Sequence, residues 1–253
     1  MTFGLGDGFN EELLQAMAAA GGGHFYFIEE AALIGDRFTS ELGEALEVAS
    51  RDVRLLVRAP GVRCEPLTAY AGEVLDADRT IVRVGDLSSE QVVELTFKLT
   101  FPDGAVGDSI EVLAQLFADG RVGPSLDNPL GDVPTHGIVR FTFADHGAND
   151  RQPRERTIDW VVAEKYAAQA MRVAVAKNRE GDYEGARRAL VGTAKKIGGY
   201  ADGDEVLLGL IGTLMGEASV YSAPMPEMNR KRAYAHATSH LKGRDTSGRA
   251  RKS

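Results

Sequence analysis

The sequence predicts an α+β fold built from stretches of different texture: an incomplete α/β segment over residues 1–48, an antiparallel β-sandwich over 49–152 and a helical region over 153–242, with a disordered basic tail over 243–253. Three observations carry this reading. Apolar side chains recur at helical spacing around one aromatic run in the first stretch, alternate with polar ones in the second, and return to a period near 3.6 in the third.

In the first stretch Phe9, Leu13, Leu14 and Met17 share a helical face, Asn10, Glu11 and Glu12 open that helix, and Gly21, Gly22 and Gly23 close it. The run His24, Phe25, Tyr26, Phe27, Ile28 is aromatic and too short for a helix, so it reads as a buried strand. Leu33, Ile34, Phe38, Leu42, Ala45 and Leu46 then restore helical spacing. Helix, strand and helix in this order imply a parallel sheet covered by helices.

From Asp52 the period is two. Val53, Leu55 and Val57 form one strand, Ile81, Val82 and Val84 another, and Val93, Leu95, Phe97, Leu99 and Phe101 the clearest of all. Ile110 to Phe117 and Ile138 to Phe143 complete the set, bounded by turn chemistry at Pro102-Asp103-Gly104, at Asp119-Gly120 and in a loop from Gly123 to Pro134. From about Thr157 the chain is helical. Trp160, Ala163, Ala167, Ala170, Met171 and Ala174 make one stripe, and Tyr183, Ala186, Leu190 and Ile197 a second. Between them Gly181 supplies a left-handed cap and Asp182 caps the next helix, which predicts a hairpin. A third helix runs from Asp204 to about Tyr221, and Pro224 and Pro226 separate it from a basic helix starting near Glu227. Trp160, Tyr183 and Phe38 are the large side chains expected to be packed.

The 253 residues are 43% hydrophobic and 26% charged, which excludes collagen-like and disordered classes. A single cysteine, Cys64, excludes a disulfide-stapled scaffold. The first ten residues lack the basic and apolar segments of a signal peptide and no apolar run spans a bilayer, so the expected compartment is the cytoplasm, with no membrane partner. The net charge is −8, divided between +6 from Glu227 onward and −14 before it. That acidic body disfavours nucleic acid, because phosphate binding needs a basic face.

No motif assembles a reaction, and no catalytic, cofactor-binding or metal-ligating residue is assigned. Gly4-Leu5-Gly6-Asp7-Gly8 lacks the preceding strand and third glycine of a nucleotide fingerprint and reads as a turn, with Asp7 as a helix cap. Of His24, His136, His146, His236 and His240, only the last two share a helical face, and two ligands make a weak metal site. Asp145 to Asp150, around His146, reads as a turn. Arg63 could lower the Cys64 thiol pKa, but a structural thiol is the plainer reading. Glu29 and Glu30 mark a strand end and a helix start.

The opening TFGLGDGFNEELLQAMAAAGGGHFYFIEEAALIGDRFTSELGEAL resembles the closing segment of a von Willebrand factor type A domain in the order of glycine turn, NEELL helix, aromatic strand and terminal helix. VASRDVRLLVRAPGV onward resembles the β-sandwich that trails this domain in bacterial members. REGDYEGARRAL resembles both their C-terminal helices and a tetratricopeptide-like hairpin. The resemblance implies a truncated domain without the metal-ion-dependent adhesion site, whose DxSxS motif would hold magnesium. Asp86-Leu87-Ser88-Ser89-Glu90 lacks the last serine and takes no metal role. It further implies a non-enzymatic protein-interaction module that needs no cofactor and whose partner is another protein. An accessory subunit of an ATPase or chelatase-type complex is one alternative, and a basic tail binding nucleic acid or an acidic partner is another. Two strands cannot form a stable parallel sheet alone, so the first 45 residues are expected to dock on the sandwich, pair with another chain or stay partly ordered.

Overall fold

The computed structural model describes residues 1–118, 136–245 and 249–252. The expected turn at Asp119-Gly120 and the loop from Gly123 to Pro134 lie outside them.

β1 (Thr2–Leu5) and β2 (Phe25–Ile28) pair in parallel, Thr2 opposite Phe25 and Leu5 opposite Ile28. α1 (Glu11–Ala20) connects them, and its cap is Asn10, whose side chain accepts from the Leu13 N–H. Asp7, the expected cap, stands three residues too early to reach the first turn. Side chains alternate across a strand, so Phe3 and Tyr26 share one face, where their rings stack at 5.6 Å. Phe25 and Phe27 point to the other face and meet Phe9 at 5.9 and 6.1 Å. After a 3₁₀ turn at Ala31–Leu33, α2 (Ile34–Leu46) lies on the Phe3 face, its Phe38 ring 5.8 Å from that of Phe3.

Seven strands follow among the described residues: β3 (Val48–Arg58), β4 (Arg63–Pro66), β5 (Ala71–Val74), β6 (Arg79–Ser88), β7 (Phe97–Thr100), β8 (Ser109–Phe117) and β9 (His136–Thr142). Five form an antiparallel sheet in the order β5-β6-β3-β8-β9, and β4 pairs with β7 in a second, smaller layer. Val57, Val62, Cys64 and Val112 pack with Leu99 and Phe101 between the layers, while Val53, Tyr70, Val82 and Val84 pack with Phe97. The expected sandwich is therefore present with one thin layer. The strand expected from Val93 is regular only from Phe97, because the backbone before it pairs elsewhere: the Val92 N–H donates to the Arg251 carbonyl and the Thr96 carbonyl accepts from Leu67.

Asp145 to Asp150, read as a turn, instead forms one helical turn, α3 (His146–Asp150), because the Asp145 carboxylate accepts from the Ala148 N–H. Four longer helices complete the chain: α4 (Arg156–Arg179), α5 (Tyr183–Ala201), α6 (Glu205–Tyr221) and α7 (Glu227–Leu241). Gly181 takes φ +81°, Asp182 accepts from the Gly185 N–H, and Asp204 from the Leu207 N–H, so the predicted hairpin and caps are all present. Ala163, Ala167, Ala170 and Ala174 of α4 form a close seam against Ala186, Leu190 and Ile197 of α5 and Leu207 and Leu214 of α6.

That same core contains Ala18 and Phe25, with Phe9, Leu14 and Phe27 packed on it. The boundaries drawn at residues 48 and 153 thus divide one buried cluster, and the α/β segment docks on the helical region rather than on the sandwich alone. α7 supplies the reason by packing against β2. Among the described residues no helix is long and apolar enough to cross a membrane.

Candidate functional site

Two buried charge clusters hold the α/β segment in place, and together they fix which of its surfaces stays open. At the first, Lys231 of α7 and Glu11 of α1 are each 2% exposed. The Lys231 Nζ lies 3.0 Å from the Glu11 carboxylate, donates to the Phe9 carbonyl and sits 4.1 Å over the Phe9 ring. Arg179 of α4 is the second cation on Glu11. Burial alone would push the Glu11 carboxyl up; its own backbone N–H, Arg179 and Lys231 outweigh that and hold it below the usual range.

At the second cluster Arg244, 2% exposed, donates to Glu44 at 2.6 Å and to the Tyr26 hydroxyl at 2.9 Å, and its Nη1 lies 2.7 Å from His24 Nε2. The Tyr26 hydroxyl donates to Glu41. Burial, then Arg244 and Lys242, drive His24 well below its ordinary pKa, so a neutral ring accepts at Nε2 and carries its proton on Nδ1. Burial raises the Glu41 carboxyl. Lys242 donates to the Gly23 carbonyl at 3.1 Å and lies 5.1 Å from the Tyr70 ring centroid; burial, with Arg244 beside it, lowers it to about 8.

The tail over 243–253, expected to be disordered and solvated, is therefore corrected wherever it is described. Besides Arg244, Ala250 donates its N–H to Glu44, Arg251 accepts from Val92, and Lys252 pairs with Glu47. Residues 1–48 contain nine acids and a single basic residue, Arg37, so the basic end of the chain meets its counter-charges at the acidic beginning. That complementarity is the sequence signal that points to Arg244.

The other candidates disperse. The glycine-rich run after β1 is a strand-to-helix turn, with Gly6 at φ +69°. Cys64 is buried in β4 and burial raises its thiol, opposite to the effect ascribed to Arg63, whose guanidinium pairs with Glu65. Burial lowers both His236 and His240 on α7. His136 lies in β9 and His146 in α3. Glu29 pairs with Arg232 at 2.6 Å, and Asp86 accepts from the Asp52 N–H at 2.9 Å. No group of three or more His, Cys, Asp or Glu among the described residues is placed to hold a metal. A cleft of about 510 Å³ separates the α/β segment from the sandwich, lined by Gly22, Glu41, Glu44, Asp52, Arg83 and Asp86. Gly22 and Gly85 close one side of it: Gly85 has φ +91°, and a Cβ there would stand 2.0 Å from the Gly22 carbonyl oxygen.

Trp160 and Tyr183 are half-buried, but Phe38 is 55% exposed, against expectation. Glu41 turns inward to Tyr26 and Phe38 stacks on Phe3, yet Ile34 and Phe38 remain part-exposed beside them and Leu42 and Leu46 turn further out; Leu42 is 55% and Leu46 80% exposed. An amphipathic helix thus leaves much of its apolar stripe in solvent.

The whole architecture has a known counterpart. A von Willebrand factor type A protein from Catenulispora acidiphila superimposes with a TM-score of 0.58 over 92% of this chain, at 14% sequence identity. The chain shares the von Willebrand factor type A protein fold. It spans 50% of the length of that protein. No family model matches the sequence, and no curated protein does. Among the described residues the apolar stripe of α2 is one of the surfaces that internal packing leaves largely uncovered.

Proposed function

We propose that the chain is a non-enzymatic protein-interaction module, acting in the cytoplasm, whose contact surface is the apolar stripe of α2. One observation carries this: Ile34, Phe38 and Leu42 follow one another at single-turn spacing and stay 39%, 55% and 55% exposed on a helix whose buried residue is a glutamate. Covering what remains exposed of these three half-buried side chains contributes about 1 kcal/mol each, roughly half the value for full burial, a useful contribution to anchoring a partner. An enzyme would require titratable groups converging on bound substrate. The groups that do converge, at Arg244 and Lys231, are spent on one another. Proteins of this fold commonly bind other proteins, an analogy that agrees with the reading and does not carry it.

The test uses the full chain in its native host, with a photo-reactive amino acid at Leu42 and, as control, at Leu208, an equally exposed apolar position on α6. A defined polypeptide labelled from position 42 alone, and lost in Phe38→Asp, is the expected outcome. Equal labelling from both positions, or none from either, overturns the proposal.

A further inference from the structure

Where α1 and the start of β2 meet α7, four buried polar atoms have no hydrogen-bond partner among the described residues: both ends of the Gln15 amide, His24 Nδ1 and Thr238 Oγ1. Gln15 of α1 is 6% exposed and Thr238 of α7 is 4% exposed, so bulk solvent does not serve their polar ends. Native proteins keep few such groups, because a buried donor or acceptor that makes no bond has lost its hydration without return. These atoms are not scattered. Gln15, His24 and Thr238 line one pocket of about 10 Å³, beside Lys242 and Arg244.

The chemistry of the lining selects the occupant. Both neighbouring cations are engaged elsewhere, Lys242 with the Gly23 carbonyl at 3.1 Å and Arg244 with Glu44 and the Tyr26 hydroxyl. Arg244 Nη1 also lies 2.7 Å from His24 Nε2, so that nitrogen accepts, and the neutral ring carries on Nδ1 a proton that needs an acceptor. The Gln15 amide needs both a donor for Oε1 and an acceptor for Nε2, and the Thr238 hydroxyl serves either way. An anion would match the donors but repel Gln15 Oε1. A metal or ammonium ion would face the His24 N–H and two fixed positive charges. Water both donates and accepts, and roughly 10–15 Å³ of such space holds one molecule.

We infer that this pocket binds one structural water molecule, which accepts from His24 Nδ1 and bridges Gln15 to Thr238. The inference is independent of the interaction reading of α2. The water fastens two parts of the chain, with α1 and β2 on one side of it and α7 on the other. Buried waters of this kind make about three hydrogen bonds and are costly to remove. It also fixes the histidine tautomer: by taking the Nδ1 proton as its bond it leaves Nε2 bare for Arg244, so the buried arginine cluster and the water are coupled through one imidazole ring.

A high-resolution crystal structure of the full chain, grown with bromide as the sole halide, tests the site directly. The expected result is one water peak about 2.7–3.2 Å from His24 Nδ1, the Gln15 amide and Thr238 Oγ1, with no anomalous signal. An anomalous bromide peak there, or a direct bond from Gln15 to Thr238 with no density between them, overturns the inference. In solution, nitrogen-15 NMR of the wild-type chain is expected to show a neutral His24 protonated on Nδ1, with a cross-peak from that proton to a long-lived water; a ring protonated on Nε2 overturns it. Gln15→Met and Thr238→Val are each expected to lower the folding equilibrium constant about five- to tenfold in urea unfolding. Both act on the same bound molecule, so the double variant should lose less than the product of the two; independent effects overturn the bridge. Should either variant fail to fold, the wild-type crystal and spectrum decide.

Discussion

Replacing Arg244 with methionine keeps the length of the side chain and deletes the guanidinium. The charge removed is 3% exposed and the carboxylates it leaves behind are nearly as enclosed, Glu44 at 18% and Glu41 at 10%. Breaking a buried ion pair from one side costs about 3–5 kcal/mol, since the desolvated partner charge stays behind. Glu41, already raised by burial, escapes part of this by taking a proton, so the loss at pH 7 belongs near the lower figure, about 3 kcal/mol. Set against a total stability of roughly 5–15 kcal/mol, that is a large fraction. Urea unfolding followed by the fluorescence of Trp160, the chain's single tryptophan, measures it. The sign with pH follows from the direction of the Glu41 shift. A carboxyl raised in the folded state binds more protons folded than unfolded just above its ordinary value, so stability falls as pH rises through that window. Removing Arg244 widens the window, and the variant should recover toward wild type as pH falls to about 5. Adding Glu44→Gln to Arg244→Met should restore part of the loss. A deficit below about 1 kcal/mol at pH 7, or one that grows on acidification, refutes the assignment of Arg244 as a buried counter-charge.

Lys231→Met should destabilise by about 3 kcal/mol and the double change Lys231→Met with Glu11→Leu by clearly less, because an apolar pair replaces a broken ionic one; equilibrium unfolding of the three chains decides. Lys242 is lowered to about 8 from its ordinary value, so the unfolded chain binds more protons between about 8 and 10 and stability rises with pH there; Lys242→Met should flatten that slope in denaturant titrations at pH 8 and 9.5. Gly85→Ala meets both a φ of +91° and the Gly22 carbonyl, and should cost about 1–3 kcal/mol, read as a drop in melting temperature; a neutral result would mean the two backbones do not touch.

The sequence is most legible where its cause is local. Asp182 and Asp204 bond an N–H three residues on, and Gly181 needs only its own missing Cβ, so both helix starts and the hairpin follow from a few neighbouring residues. β3, β6 and β8 are legible for a similar reason, alternation being fixed by the pleat. Arg244 is the opposite case. Its partners Glu44 and Tyr26 lie about two hundred positions earlier, and a polar run at the end of a chain has no local property that separates a docked strand from a frayed one. The cap at Asn10 in place of Asp7 is a smaller instance: both are good capping residues, and only the backbone decides which one faces the helix.

Phe38 shows why periodicity and packing are separate kinds of information. The spacing of Ile34, Phe38 and Leu42 fixes that they share a face, and the usual inference that the apolar face is the inner one holds only if the chain supplies what covers it. Here the chain covers the polar side instead. Glu41 is drawn inward by the Tyr26 hydroxyl, and Arg244 arrives from the far end of the sequence to neutralise it and its neighbour Glu44. The two features are therefore one: the buried arginine is what makes it possible for α2 to face its glutamates inward and its leucines outward. Disrupting the arginine should release α2 from this orientation, so Arg244→Met ought to weaken partner labelling from Leu42 even though Arg244 pairs with Glu41 and Glu44 and not with the exposed stripe. Undiminished labelling in a folded Arg244→Met chain would separate the two features and leave the exposed stripe without its structural cause.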